Sequence, residues 1–587
     1  MRTNRKMEEK KMSMNKNIAR LAVTAGLTAA LSFGGVMAPV TMAFAADATA
    51  SANSITIKQD EKNTDATNPN KKTQFVAYQI FNAKVADGTS ASDKVVSDVA
   101  WANNVTEPTQ VSIIDAIKQS AGYGSSKSKL PENKTPTAQD VADWMADNLQ
   151  DASWVVNNGD LLDTIADLVK TTTPAKPKGA TSAAFAADTS VSFENSGYYL
   201  FLTEDASIGT MNNYSEQKQT GTSPVFAVVG GSAVEVAEKT GIPTVTKKIK
   251  DDKPGAGWAD KADSQVGQDV KYQLTGTVAE NVASFDSYYY EFHDELSAGL
   301  TATDASIKVY AGSDRASAVE ITSGFTSKVK NAENGAGQTL TVKFDDLKLA
   351  VANLSSSTKI FVEYTAQLDP NKAVVVGGEG NENTVKLIYS NNPMSNGKGE
   401  SVPDTVRDYT YALKLVKEDS ANEATKLRGV NFTIQATGAD EGAGIKYVQQ
   451  DGSLDGTAYE FTTDDKGEIS VKGLDAGTYT VKETHALDDY NTLPEFTFTI
   501  TADGLNQDEG TNTLSVTASK EGSDLVVNPT FAGGTVTLTV KNKKGSGLPL
   551  TGLNGVTFTW IAGGAVLVIG VAHLIRSRKQ AEESEQE

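Results

Sequence analysis

Tyr479-Thr480-Val481-Lys482-Glu483-Thr484 alternates apolar with polar side chains. A period of two marks a strand with one buried face, and Tyr479, Val481 and Glu483 share that face. The pattern recurs on both sides. Downstream it covers residues 496–500 and 536–540; upstream it covers 431–435, 409–416, 383–389, 360–366, 270–278 and 245–249. Gly- and Asn-rich turns separate these runs. Short strands at this spacing point to β-sandwiches with Ig-like packing. The expected fold class is mainly β, with tandem sandwiches over residues 237–400 and 401–547.

Residues 46–236 form a third β-rich unit, the first in the chain. Residues 54–58 and 74–81 read as strands, as do 198–201 and 223–229. Between them a helical insert is expected. Thr137-Ala138-Gln139-Asp140 has the form of an N-terminal cap leading into Val141-Ala142-Asp143-Trp144-Met145, and residues 161–169 repeat the helical pattern. The whole reads as a rod of three β-rich domains.

At 587 residues the chain is too long for one ordinary core. A net charge of -20 argues against nucleic acid as a partner. Cysteine is absent, so disulfides do not brace these domains. The histidines are His293, His485 and His573. Without Cys or a His cluster there is no ordinary zinc site and no Cys–His dyad. Neither His293 nor His485 adjoins a nucleophile-elbow pattern. No metal, no cofactor and no turnover enzyme are expected.

The ends carry addresses. Residues 1–45 have a basic start, an apolar stretch over 21–40, and Ala43-Phe44-Ala45 before Ala46. That is the layout of a secretory signal cleaved between Ala45 and Ala46. At the other end, Leu548-Pro549-Leu550-Thr551-Gly552 precedes a mostly apolar run over residues 556–575 and then Arg576-Ser577-Arg578-Lys579. A run of about 20 apolar residues is long enough to cross a bilayer as a helix, and the basic cluster would hold its tail inside the cell. Residues 548–587 resemble the cell-wall sorting signal of Gram-positive surface proteins. The resemblance implies that a sortase cysteine attacks the Thr551 carbonyl, releases Gly552 onward and passes the acyl end to an amine.

A second resemblance covers nearly the whole chain. Val234-Glu235-Val236-Ala237-Glu238-Lys239, followed by Pro243-Thr244, is similar to the V-x-V-Y-P-K pilin motif and Pro-Thr-x-x-Lys strand of SpaA-type major pilins. Ala237-Glu238 stands where that family has Tyr-Pro. Residues 479–484 with Ala486 and Tyr490 resemble the pilin E-box. Lys417, Asp419, Leu427, Gly429 and Phe432 resemble the opening of a collagen-adhesin B-type domain. The likeness implies that Lys239 is the amine that polymerises subunits.

It also implies internal Lys–Asn crosslinks. Lys247 shares a face with Val245 and Ile249, an apolar phase that costs free energy unless the amine has a partner. Val385, Leu387, Tyr389 and Asn391 share another face, and residues 292–300 resemble the family's acid-bearing segment. The implied set is Lys247, Asp294 and Asn391, with Asn392 as a register alternative. In the last domain Leu413, Leu415 and Lys417 share a face while Lys414 takes the other, and Val536, Leu538, Val540 and Asn542 align. The implied set there is Lys417, Glu483 and Asn542, with Lys414 as the alternative. Burial lowers a lysine pKa. A neutral amine held beside an Asn carbonyl is a nucleophile in attack geometry, and Asp294 or Glu483 would polarise that carbonyl and shuttle protons as ammonia leaves. The first domain shows no equivalent Asn, and no bond is expected there.

The function this implies is the backbone subunit of a sortase-built fimbria on a Gram-positive cell, covalently held to the wall after transient membrane retention. Its partners would be a pilin-specific sortase, a housekeeping sortase, other copies of the chain, minor, tip or base pilins, and peptidoglycan. A monomeric wall-anchored adhesin is the alternative, and the host ligand is not legible.

Overall fold

Tyr411–Asp419 shows why this chain builds sheets. Tyr411, Leu413 and Leu415 are buried on one side of the strand, whereas Lys414 on the other pairs with Glu468 at 2.8 Å. An apolar face of this kind is stable only against a second sheet, and the chain repeats that solution in three bodies. The computed structural model describes residues 53–545 apart from 65–67, 69, 89–93, 150–154, 209–218, 254, 333–335, 438–444 and 506–513. The Ala45–Ala46 step, the motif Leu548, Pro549, Leu550, Thr551 and Gly552, and the apolar run after it lie outside these residues. Among the described residues no helix is long and apolar enough to cross a membrane.

The first body pairs a five-stranded sheet with a three-stranded one. In the smaller sheet Ser54–Lys58 runs parallel to Val234–Ala237, joining the start of the body to its end. Helices Glu107–Gln119, Ala138–Asn148 and Leu161–Lys170 pack on the larger sheet through Ile113, Ile117, Val141, Met145, Ile165 and Val169. The cap forms at Thr137: its Oγ1 accepts from Asp140 N at 3.2 Å, and Asp140 Oδ2 accepts from Thr137 N at 2.8 Å. The first helix is missing from the sequence reading. Pro108 in its first turn and the Ile113–Ile114–Ile117 spacing were its signals.

The middle body stacks two seven-stranded sheets. One carries Val245–Lys250, Val270–Thr277 and Lys359–Leu368; the other carries Tyr290–Leu296, Asn381–Ser390 and Asp404–Tyr409. Tyr272, Leu274, Phe292, Leu340, Val362 and Leu387 fill the space between. Asp404–Tyr409 pairs with Asn381–Ser390, so this sheet continues past residue 400, where the sequence reading placed a boundary. The apolar phase runs unbroken through Tyr409 and Tyr411, which conceals the change of sheet at Thr410.

In the third body Tyr411–Asp419 and Thr535–Asn542 run side by side in parallel. A six-strand path including Asn431–Thr437, Gly477–His485 and Phe496–Asp503 forms the opposing sheet. The middle and third bodies meet where Val266 N donates to Gly473 O at 3.0 Å and Asp475 N to Gln265 Oε1 at 3.2 Å. Asp251, Asp263 and Asp475 are buried at this seam. Burial first, then the Asp251 charge, pushes the Asp263 carboxyl up to about 7, and Asp475 is raised by burial and by Asp263.

Candidate functional site

Two lysines that alternation puts in the apolar phase end up with no exposed surface. In the third body Lys417 is opposite Val540 on the neighbouring parallel strand, and Asn542 lies two residues further along that strand on the same face. Glu483 projects from the opposing sheet, where it pairs with Phe432. The three side chains converge in a dry layer. Lys417 Nζ donates to Glu483 Oε2 at 2.7 Å and also to Asn542 Oδ1; Asn542 Nδ2 donates to Glu483 Oε1 at 2.7 Å. The Phe432 ring centroid lies 5.3 Å from the amine. Burial lowers the Lys417 pKa to about 8, against the opposing pull of Glu483.

The middle body arranges its site across the two sheets. Lys247 comes from the first sheet, and Asp294 comes from the second. Lys247 Nζ donates to Asp294 Oδ1 and, at 3.1 Å, to the Tyr364 hydroxyl. That hydroxyl donates to Asp294 Oδ2 at 2.6 Å and accepts from Asn383 Nδ2 at 2.7 Å. Tyr272 and Tyr364 stack at 5.2 Å between ring centroids and wall the amine on one side. Burial pushes Lys247 down to about 8, with Asp294 pulling the other way. Asn383 is fully buried, and its Oδ1 has no hydrogen-bond partner. A buried carbonyl oxygen without a donor is costly, and this one belongs to the side chain that shares Tyr364 with the lysine.

The structure therefore corrects one member of the expected set. Asn391 does not face Lys247. The strand Asn381–Ser390 ends before it, the chain turns so that Asn391 N donates to Gly397 O at 3.1 Å, and the side chain enters the first body instead, bonding Ile208 O and Gln219 O. Alternation was extended one residue past the strand in which it holds. Asn383 keeps the phase of Val385, Leu387 and Tyr389 at the opposite end of that strand, a signal present in the sequence. The alternative Asn392 pairs with Asp205 at 2.5 Å, and the alternative Lys414 with Glu468.

Lys239 follows the strand Val234–Ala237 and is half-buried. Its N–H donates to Thr222 Oγ1 at 2.5 Å, and its carbonyl accepts from Ser223 N at 2.9 Å. Burial alone pushes its amine down to about 8. Glu238 beside it turns inward, accepting from Asp60 N and Asn63 Nδ2 at 3.0 Å each; burial raises its carboxyl to about 7.

In the first body the buried Lys94 differs from both sites. It meets Asp87 Oδ1 at 2.5 Å and the Ser232 carbonyl at 3.1 Å. Hydrogen bonds from Lys94 and Ser232 outweigh burial and hold the Asp87 carboxyl below its ordinary range. Lys94 and Asp87 thus form an ion pair whose other bonds go to the Ser232 carbonyl and hydroxyl, and among the described residues no Asn side chain hydrogen-bonds this amine. Among the described residues no group of three His, Cys, Asp or Glu side chains could hold a metal ion.

Residues 412–514 match the family model of the SpaA prealbumin-like fold domain. No curated protein matches the chain. Solved structures that resemble it include the T6 backbone pilin of serotype M6 Streptococcus pyogenes, at 17% identity and a TM-score of 0.46, covering 85% of this chain and 100% of that one. The full-length major pilin SpaD of Corynebacterium diphtheriae aligns at 15% identity and 0.42, covering 84% and 98%. BcpA, the major pilin subunit of Bacillus cereus, aligns at 19% identity and 0.36, covering 64% and 93%. Lys417 and Glu483 lie inside the stretch that matches this family model, and Asn542 lies beyond it on the strand that runs parallel to Tyr411–Asp419.

Proposed function

We propose that this chain is the backbone subunit of a covalently polymerised fimbria, braced by Lys417–Asn542 and Lys247–Asn383 amide bonds. The observation that carries the reading is the Lys417–Glu483–Asn542 triangle. A desolvated amine lies against the amide it would attack, and one carboxylate touches both the amine and the leaving nitrogen. Attack by neutral Nζ on Asn542 Cγ forms the new C–N bond. Glu483 takes a proton from the amine and delivers it to Nδ2, and the C–Nδ2 bond breaks to release ammonia. Atoms balance with no oxidant and no cofactor. In the middle body Asp294 takes the proton as Lys247 Nζ attacks Asn383 Cγ, and the Tyr364 hydroxyl, bonded to both Asp294 and Asn383 Nδ2, relays a proton to that nitrogen as the C–Nδ2 bond breaks and ammonia leaves.

Each bond ties the first strand of its body to a late one, so force applied along the chain loads a covalent path. Three domains stand in line in this reading, the middle one running on through Tyr409 and the third beginning at Tyr411. Lys239 is the amine that accepts the Thr551 acyl group from a pilin-specific sortase. At pH 7 an amine with a pKa near 8 is about one-tenth neutral, against less than one in a thousand at an ordinary lysine pKa. A housekeeping sortase or a base pilin then fixes the fibre to peptidoglycan. Expression of the chain with a pilin-specific sortase tests this. A high-mass ladder that disappears with Lys239→Ala supports the fibre, and a ladder unaffected by that change removes Lys239 from the account. A wall-bound monomer with no ladder would be an adhesin instead.

A further inference from the structure

The segment 219–223 of the first body is gripped from two sides. On one side stands Lys239, through Thr222 Oγ1 and Ser223 N. Thr240 adds a bond from its Oγ1 to Gly221 O at 3.2 Å and a 2.6 Å contact to the Thr220 hydroxyl. On the other side stands the middle body. Asn391 Nδ2 donates to Gln219 O at 3.2 Å and to Ile208 O at 3.1 Å, and its own carbonyl accepts from Gly221 N. Asn281 Nδ2 donates to Gly221 O at 3.1 Å. Asn281, Asn391 and Asn392 are all buried. A Cβ on Gly221 would meet Asn392 Oδ1 at 2.9 Å, so the contact leaves no room for a side chain there. Met394 extends the contact by packing against the helical core of the first body.

We propose that Asn391, with Asn281, is a positioning residue for Lys239: it docks the middle body onto segment 219–223 and thereby keeps the Lys239 amine out of water. The inference rests on Lys239 being the polymerising amine. Two carbonyls with a shared donor stay dry only while that donor is present. Without it, water must enter the seam to satisfy Ile208 O and Gln219 O. The strip that caps the Lys239 backbone is the same strip, so a wet seam solvates the amine and returns it toward ordinary lysine behaviour. Docking of the two bodies and readiness of the amine are one event.

Lys239 acylation by a small water-soluble acyl ester reads this directly. The full-length chain in detergent is labelled across pH 6–11 and Lys239 is quantified by peptide mass spectrometry. The native chain should show a labelling midpoint near 8. In Asn391→Ala and in Asn281→Ala the midpoint should move toward about 10.4, lowering labelling at pH 7.5 by a hundredfold or more. Ammonia loss from the other two bodies, unchanged, shows that they fold. A midpoint that stays near 8 in both variants, or that lies near 10.4 in the native chain, overturns the proposal. A native midpoint near 8 that the variants shift, combined with no sortase ladder, keeps the positioning role and removes the polymer reading.

Discussion

Asn542→Ala is the perturbation with the clearest magnitude. It removes the electrophile and leaves Lys417 paired with Glu483 at 2.7 Å. The folded layer therefore keeps a buried ion pair and loses only the covalent tie. The tie closes a loop of 125 residues between Lys417 and Asn542. By the chain-entropy relation for crosslinks, a loop of that length stabilises the fold by about 5 kcal/mol at 25 °C. In a domain of this size 1 kcal/mol moves the thermal midpoint by about 3 °C, so the third-body transition should fall by ~15 °C. Scanning calorimetry on residues 46–547 measures it, with intact mass confirming that one fewer ammonia has been lost. Glu483→Ala should fall further, because the Lys417 ammonium is then buried without its carboxylate, a further penalty of about 3–5 kcal/mol. An Asn542→Ala transition within a few degrees of the native one would refute the crosslink in this body.

In the middle body, Asn383→Ala should abolish one ammonia loss while Asn391→Ala leaves that loss intact; intact mass separates them, and the reverse pattern would restore Asn391 as the electrophile. Tyr364→Phe should slow the same bond, since its hydroxyl touches Lys247, Asp294 and Asn383. Freshly made protein would then hold a detectable fraction lacking that ammonia loss, and complete reaction at the earliest time point would exclude the role. At the seam between the middle and third bodies, the Asp263 and Asp475 carboxyls are raised in the folded state, so folding takes up protons there. The Asp263 contribution to stability is complete below about pH 4 and is lost as pH rises through about 7, and that of Asp475 is lost in the same direction. Asp263→Asn should raise the thermal midpoint more at pH 8 than at pH 5, and an equal rise at both would exclude this linkage.

Much of the arrangement is written in the two-residue period. Lys247, Asp294, Lys417, Glu483 and Asn542 are each a polar residue in an apolar phase, and each is buried. What alternation lacks is the end of a strand. Asn391 continues the phase of Tyr389 on paper, but the backbone leaves the sheet after Ser390, and beyond that point the period carries no facing information. Tyr364 was legible only as a strand residue, because its role depends on the stacking of two sheets distant in sequence. The half-burial of Lys239 was likewise hidden. Segment 219–223, distant in sequence, holds the Lys239 main chain, and a lysine after a strand end reads as solvated from sequence alone.

The most direct test is the intact mass of residues 46–547 followed by tryptic mapping. The account predicts a mass two ammonias below that of the sequence, with crosslinked peptides joining Lys417 to Asn542 and Lys247 to Asn383. A mass equal to that of the sequence, with all four residues recovered in linear peptides, would contradict it.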